Sequence, residues 1–132
     1  MRGKAEERMI LGIGIDLIET ARVAEKLGRS PGLRGKVFSP AEIAYCERMA
    51  DPAQHFAGRF AAKEALLKAL GFGLSGYLDL CDAAVENNEL GAPFFNFTGE
   101  LKNTIAERGV VRIHLSITHI QLAASAVVIL EG

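Results

Sequence analysis

The stretch Phe56–Leu70 reads FAGRFAAKEALLKAL and predicts a long helix at the centre of the chain. Its bulky apolar residues recur at helical spacing and form one stripe; they are Phe56, Phe60, Leu67 and Leu70. Lys63 falls inside this stripe, whereas Glu64 and Lys68 lie together along its flank, four residues apart. A helix that places a lysine in its apolar face, with a carboxylate beside it, suggests a role beyond packing.

The elements around this helix indicate an α+β domain. The helix itself should run from roughly Ala53 to Leu70, and Gly71 and Gly73 should stop it. Before it we predict a strand at Met9–Asp16, a helix at Ile18–Leu27 and a helix from Pro40 to about Met49. After it we predict strands at Asp79–Glu86 and Phe94–Thr98, a helix at Gly99–Arg108, and strands at Val110–Ile117 and Leu122–Leu130. The short link before the last strand favours an antiparallel hairpin, so the fold class is an antiparallel sheet with packed helices rather than repeated βαβ units.

Composition excludes several classes of protein. The 132 residues suit one domain, which we place at 9–132 after a flexible tail at 1–8. Sixteen acidic and fifteen basic residues nearly cancel, so global charge gives no indication of nucleic acid or membrane as a partner. The two cysteines, Cys46 and Cys81, match no metal or disulfide spacing and suggest a cytoplasmic protein. We expect neither a signal peptide nor a membrane-spanning segment.

A few charged residues are candidates for chemistry, although each also has a structural explanation. Asp16 fits the cap of the next helix, Glu64 and Lys68 fit an ordinary surface pair, and Lys63 fits a side chain whose ammonium reaches water. Together, however, Asp16 and Glu64 offer the oxygen ligands that Mg²⁺ prefers. The cations Arg59, Lys63 and Lys68 would then bind a polyphosphate, which is the equipment that phosphoryl-type transfer requires.

Three motifs, in this order, resemble those of the 4′-phosphopantetheinyl transferases. They are GIGID at 12–16, FAAKEALLK at 60–68 and SITH at 116–119. The similarity extends from about Met9 to Glu131, and the chain length is closest to the small bacterial holo-acyl-carrier-protein synthases. The resemblance implies the fold of that superfamily and the transfer of 4′-phosphopantetheine from coenzyme A to a serine of apo-acyl carrier protein. The second product would be adenosine 3′,5′-bisphosphate.

The resemblance also implies roles for individual residues. Asp16 and Glu64 would bind Mg²⁺, with Mn²⁺ an open alternative, and Glu64 would take the proton of the carrier serine through a metal-bound water. Lys68 would stabilise charge on the diphosphate as it breaks, while Arg59 and Lys63 would support the phosphates or the site. Ser116 and His119 would contact coenzyme A phosphates from a neighbouring subunit, because the small members of the family are homotrimers with sites at their interfaces.

A basic segment near the first helix is the candidate docking site for the acidic carrier protein. Between Arg22 and Lys36 a single acid, Glu25, stands against five basic residues, which are Arg22, Lys26, Arg29, Arg34 and Lys36. Arg22 matches a family position that pairs with the carrier protein, and we assign the docking to Arg22, Lys26 and Arg29. Complementary charge at such a surface raises the association rate and favours the right partner.

Two other functions remain open at this point. The chain could be a non-catalytic module that binds carrier proteins, or a different Mg²⁺-dependent phosphotransferase or hydrolase acting on nucleotides. The presence of Asp16, Glu64 and Lys68 favours the transferase. The chain also departs from the family pattern at Ile18, at Ile120 and in Asp51–His55, where family members often carry basic residues.

Overall fold

A computed structural model describes residues 7–71 and 79–132. The first part contains strand β1 (Ile10–Glu19) and helices α1 (Thr20–Arg29), α2 (Leu33–Val37), α3 (Pro40–Glu47) and α4 (Pro52–Leu70). The second part contains a 3₁₀ turn (Leu80–Asp82), strands β2 (Ala83–Asn87) and β3 (Pro93–Phe97), helix α5 (Gly99–Glu107), and strands β4 (Arg112–His119) and β5 (Ala123–Glu131). The predicted α+β class, with antiparallel strands and packed helices, is confirmed.

The strands form two sheets, and both contain only antiparallel pairs. One sheet has three strands in the order β1-β5-β4, and the other is the β2-β3 hairpin. The predicted hairpin near the C-terminus is the β4-β5 pair, in which His119 lies opposite Ala124. Strand β5 is thus the centre of the larger sheet, and its alternate residues Ala124, Ala126, Val128 and Leu130 are buried in the core.

Helix α4 packs directly on β1 because two glycines in that strand leave room for it. A Cβ on Gly12 would lie 2.0 Å from the carbonyl oxygen of Ala69, and one on Gly14 would lie 1.8 Å from that of Ala65. The glycine face of β1 therefore meets the helix, while Leu11, Ile13, Ile15 and Leu17 point away from it and remain exposed. Period-two alternation predicted the strand, but the small residues rather than the large ones face the core.

Helix α4 is the central element of the domain and is buried on almost every side. Twelve of its 19 residues are buried, and they include Arg59 and Lys63. The single apolar stripe seen in the sequence is therefore only part of its packed surface, because β1, β5, α1 and α3 all contact it. The helix ends as predicted at Gly71, which adopts a left-handed conformation with φ 78°. Gly73 lies outside the described residues.

Several predicted elements differ in their bounds from the observed ones, most of them by one or two residues. Strand β1 continues to Glu19, so α1 begins at Thr20 rather than Ile18, and Asp16 lies within the strand instead of capping the helix. Helix α3 ends at Glu47 rather than Met49. The segment predicted as a strand from Asp79 starts with the 3₁₀ turn, and the short helix α2 was not predicted.

Two further predictions concern the N-terminal tail and membrane-spanning segments. Residues 1–6 of the predicted tail lie outside the described part of the chain. Among the residues that the structure describes, none of the helices is long and apolar enough to cross a membrane.

Candidate functional site

The first part of the site is a cleft between β1, α1 and α4. Asp16 follows Gly12 and Gly14 on the strand face that meets α4, so the same alternation that admits the helix aims this carboxylate at it. Glu64 projects from α4 into the same cleft. The cleft has a volume of about 520 Å³, and its other lining residues include Glu19, Arg22, Lys26 and Phe60. The structure thus brings together the two carboxylates that the sequence placed 48 positions apart.

The surroundings of Glu64 in this cleft disfavour the ionised form of its carboxylate. Partial burial raises its pKa, and the nearby charge of Asp16 raises it further, while Lys68 and Lys26 act in the opposite direction. Two acidic groups that face one another in this way attract a cation, because a shared positive charge relieves their repulsion. Burial adds to the effect, since it weakens the competition from water.

Lys68 lies beside the carboxylates, one helical turn after Glu64. Its ammonium Nζ donates to Asp16 Oδ1 at 3.1 Å and to the backbone carbonyl of Ile15 at 3.1 Å. The side chain is 55% exposed, so it remains available to a substrate that enters the cleft. Between residues 61 and 70 of α4, Glu64 and Lys68 are the two side chains that are not buried, which explains why their spacing stood out in the sequence.

Residues of α1 supply positive charge at the opening of this cleft. Arg22 and Lys26 are exposed and line it, one turn apart on the same side of the helix. Arg29 continues that side of α1 but does not line the cleft, and it pairs with Glu25 across one turn at 3.4 Å. Arg22 and Lys26 therefore adjoin the carboxylate site. Arg29 lies farther from it, and Glu25 partly offsets the charge of Arg29.

The second part of the site is a separate pocket beside the N-terminal half of α4. It measures about 210 Å³, and its lining comprises Tyr45, His55, Gly58, Arg59, Asn87, Gly91, Pro93, Ile117 and His119. None of these residues lines the Asp16–Glu64 cleft. Arg59 and Glu64 are five positions apart, and at 3.6 residues per turn they point about 140° apart around the helix. One copy of the chain consequently presents its two sets of predicted site residues on different sides of α4.

Arg59 is the main cation of the second pocket. It is 5% exposed, it donates from Nη2 to Asn87 Oδ1 at 2.8 Å, and its guanidinium stacks on the ring of Tyr45 at 4.0 Å. Its Nε has no hydrogen-bond partner among the described residues. An incompletely satisfied, positively charged guanidinium in a pocket is suited to an anion. Arg59 is thus a buried cation of the pocket rather than a solvated residue on the flank of the helix.

His119 enters this pocket from the end of β4, and Ser116 does not. The His119 ring lies 5.1 Å from that of His55, and its Nδ1 lies 2.8 Å from Gln54 Oε1. Ser116 is exposed on the opposite face of β4, where it lies across from Val127 on the outer side of the sheet. The SITH motif therefore places His119 in the pocket and Ser116 on the outer face of the sheet.

Lys63 does not reach a substrate in this structure, which corrects its assignment to phosphate binding. Its side chain is 0% exposed. Nζ donates to Glu42 Oε1 at 2.8 Å and to the carbonyls of Leu80 and Ala83 at 2.8 and 2.7 Å. An ammonium has three donors, so none is left for a phosphate. Burial lowers the pKa of Lys63, and the carboxylate of Glu42 opposes that change. Because the side chain is fully buried, it has a structural role and its ammonium does not reach water.

The sequence did not reveal several residues of the second pocket. Tyr45 and Asn87 come from α3 and β2, and no motif marks them. His55 could have been found, because it precedes Arg59 by one helical turn and therefore shares its side of α4. Glu42 forms part of the cap of α3, and its carboxylate also accepts hydrogen bonds from Lys63 and from the backbone N–H of Val85.

The donor set of the cleft fits Mg²⁺ bound jointly with a substrate. Within residues 7–71 and 79–132, no group of three or more His, Cys, Asp or Glu side chains is arranged to bind a metal by itself. Two carboxylates in an open cleft are nevertheless what Mg²⁺ commonly takes from a protein, since waters and substrate phosphates complete its octahedron. Asp16 and Glu64 are the residues that would bind it.

Comparison with known proteins agrees with this geometry. The family model of the 4′-phosphopantetheinyl transferase superfamily matches residues 12–124. The holo-[acyl-carrier-protein] synthase of Syntrophus aciditrophicus is 45% identical over 125 residues, which are 94% of this chain and 98% of that protein. The chain therefore belongs to the 4′-phosphopantetheinyl transferase superfamily, as the three motifs predicted.

Solved structures place the chain beside particular members of that superfamily. The holo-[acyl-carrier-protein] synthase of Neisseria meningitidis superimposes with a TM-score of 0.84 at 29% identity, covering 92% of this chain and 98% of that one. The Bacillus anthracis synthase, solved in complex with CoA (3′,5′-ADP), gives a TM-score of 0.75 at 33% identity over 93% and 97% of the two chains. Both are synthases of the kind to which the motifs pointed.

Proposed function

We propose that this protein transfers the 4′-phosphopantetheine group of coenzyme A to a serine of apo-acyl carrier protein in a reaction that depends on Mg²⁺. The transferase activity itself follows from the family and from relatives named holo-[acyl-carrier-protein] synthase, so that prediction is confirmed. The dependence on Mg²⁺ and the roles of individual residues are our proposal. The observation that carries them is the open cleft in which Asp16, Glu64 and Lys68 converge.

In the proposed reaction, the chain positions two substrates and moves one proton. The carrier serine Oγ attacks the phosphorus next to the pantetheine, and the bond from that phosphorus to the bridging diphosphate oxygen breaks. The serine proton passes through a water to the carboxylate of Glu64, which acts as the general base. Lys68 donates hydrogen bonds to the oxygens on which charge develops, and adenosine 3′,5′-bisphosphate leaves. When bound, Mg²⁺ supplies positive charge that polarises the diphosphate.

Coenzyme A spans both parts of the site in this proposal. Its diphosphate lies at the Asp16–Glu64 cleft, and its nucleotide phosphates meet Arg59 and His119. Because these residues point to different sides of α4 in one copy, we propose that two copies complete each site. Ser116, on the outer face of β4, would then contact coenzyme A at the same subunit boundary.

A homotrimer is our proposal for the assembly. It is supported by the exposed apolar residues of β1, which form one face of the sheet together with Val127 and Ile129; they are Leu11, Ile13, Ile15 and Leu17. Contiguous exposed apolar surface of this kind marks an interface. Pairing of β1 through this face would bring the cleft of one copy towards the His119 pocket of the next.

The acidic carrier protein is proposed to dock on α1. Arg22 and Lys26 lie at the edge of the cleft, so a partner that contacts them presents its serine to Glu64. Arg29 extends the basic side of the helix. We further propose a cytoplasmic location, which the two free cysteines support.

Intact-protein mass spectrometry of apo-acyl carrier protein tests this proposal. With coenzyme A and Mg²⁺, the protein should add one phosphopantetheine mass to the carrier, and a chelator should prevent the addition. Glu64→Gln removes the base and one metal ligand, and we expect it to reduce the rate by at least about 100-fold. Lys102→Gln, on the exposed side of α5, is the matched control and should retain the rate. A folded protein that binds coenzyme A but modifies no carrier protein would support the binding-module alternative instead.

A further inference from the structure

A chain of two hydrogen bonds connects Asp51, before the start of α4, to His119 at the end of β4. Gln54 lies in the first turn of α4 and links them. Its Nε2 donates to Asp51 Oδ2 at 2.8 Å, and its Oε1 lies 2.8 Å from His119 Nδ1. Asp51 and Gln54 fall in the segment Asp51–His55, in which the sequence lacks the basic residues common in the family.

This chain fixes which nitrogen of His119 carries hydrogen. An ionised carboxylate only accepts hydrogen bonds, so the amide NH₂ of Gln54 must face Asp51. The carbonyl oxygen of Gln54 then faces His119 and can only accept, so Nδ1 must be the donor. A neutral imidazole has one N–H, and its other nitrogen carries a lone pair. In neutral His119 that lone pair is therefore on Nε2.

The fixed tautomer determines how His119 can interact with a phosphate. Phosphate oxygens are acceptors, and the Nε2 lone pair would repel them. Only the imidazolium form has a second N–H with which to donate. We propose that Asp51 and Gln54 are positioning residues that make His119 bind a coenzyme A phosphate in its protonated form alone, so that coenzyme A binding takes up a proton. This inference rests on the proposed contact between His119 and coenzyme A.

Several charged and titratable groups face His119. Arg59 lines the same pocket, and Asp51 reaches His119 through Gln54. Tyr45 and His55 are the other titratable residues that line the pocket. The remaining lining residues are uncharged; they are Gly58, Asn87, Gly91, Pro93 and Ile117. Burial lowers the pKa of His55, and His119 and Arg59 lower it further, so His55 is neutral near neutral pH.

The expected pH dependence has a definite sign. The complex holds the His119 proton more tightly than the free protein does, so binding weakens as pH rises. Near pH 7.5 a phosphate monoester is already largely dianionic and an ordinary histidine is mostly neutral. In that range we expect the coenzyme A dissociation constant to rise by up to about tenfold per pH unit, with uptake of up to about one proton per site.

Isothermal titration of coenzyme A in two buffers of different ionisation enthalpy measures this uptake directly. The decisive variant is Asp51→Asn, which keeps the shape of the side chain. The amide that this substitution introduces can donate to Gln54 Oε1, Gln54 can then donate to Nδ1, and Nε2 becomes the N–H of neutral His119. We expect proton uptake at pH 7.5 to fall to less than half that of the wild type. Gln54→Leu, which removes the link, should have the same effect.

The controls separate this effect from simple loss of structure. Glu107→Gln makes a similar change from carboxylate to amide on the exposed side of α5, away from both parts of the site, and should retain the wild-type proton uptake. If Asp51 and Gln54 act only on stability, their variants should weaken binding equally at every pH and leave the uptake unchanged, which would overturn the inference. If the wild type binds coenzyme A tightly without taking up a proton, this inference is overturned while the proposed function stands. Absence of coenzyme A binding would overturn the proposed function as well.

Discussion

Two glycines decide how close α4 comes to the sheet. Gly12 and Gly14 contact the backbone of α4 at Ala69 and Ala65, and Asp16 is the next residue on the same face of β1. The spacing of the GIGID motif therefore serves packing and chemistry together. A side chain on either glycine would move the helix and with it Glu64.

Gly14→Ala tests this close approach. The new Cβ would lie 1.8 Å from the Ala65 carbonyl oxygen, so we expect a loss of about 1–3 kcal/mol or more in the free energy of unfolding. Transfer activity should fall more than stability alone explains, because Glu64 moves. Gly28→Ala is the matched control, since a Cβ there meets nothing within 4 Å. Equal stability of the two variants in denaturant unfolding would argue against the packing role.

Some site residues could be predicted at the residue scale and others could not. Glu64 and Lys68 stand four residues apart, a spacing that a helix converts directly into proximity. Asp16 lies 48 positions from Glu64 and was grouped with them by its chemistry and by the family motifs. Lys63 was misjudged because its partner Glu42 lies 21 residues away, and helical periodicity carries no information about such contacts. The link from Gln54 to His119 spans 65 residues and has no local signal.

Among the elements, α3, α4 and β2 meet at one buried ion pair. Glu42 accepts Lys63 and the N–H of Val85, and Lys63 also holds the carbonyls of Leu80 and Ala83. The pair joins α4 to α3 and β2 at Lys63, the residue that precedes Glu64 in the sequence. Charges buried in this way are strongly destabilising when one partner is lost.

Lys63→Met should destabilise the protein by about 3–5 kcal/mol, because it leaves the carboxylate of Glu42 buried without its positively charged partner. Adding Glu42→Gln removes the orphaned charge and should recover part of the loss, giving a coupling energy above about 1 kcal/mol. The exposed pair of Glu25 and Arg29 is the control, and its removal should cost only about 0–1 kcal/mol. Additive losses for Glu42 and Lys63 in denaturant unfolding would contradict the ion-pair account.

Element types were more predictable than their ends. Helix α3 begins at Pro40 and α4 ends before Gly71, and both boundaries were predicted correctly. The end of β1 was misplaced because β1 pairs with β5 as far as Glu19 opposite Ala123. That pairing is a tertiary contact, and it outweighs the local preference of Asp16 for a helix cap.

For the whole molecule, the most informative surface is the outer face of the three-stranded sheet. Ile13 is 59% exposed there, between neighbours that are also apolar. Ile13→Asp should dissociate the proposed trimer and abolish transfer, because each site needs two copies. Leu90→Asp is the matched control, since Leu90 is 96% exposed in the β2-β3 turn. Analytical ultracentrifugation distinguishes the outcomes, and a wild-type monomer with full activity would be incompatible with this arrangement.

The central claim is that the Asp16–Glu64 cleft of one copy and the Arg59–His119 pocket of the next form one reaction centre. The most direct measurement mixes two inactive variants, Glu64→Gln and His119→Asp, under conditions that exchange subunits, and follows phosphopantetheine transfer by mass spectrometry. Random assembly of a ring leaves about one quarter of the boundaries with both native partners, so activity should return to roughly a quarter of wild type. If each site lies within one copy, every chain stays defective, and the mixture should remain as inactive as its components.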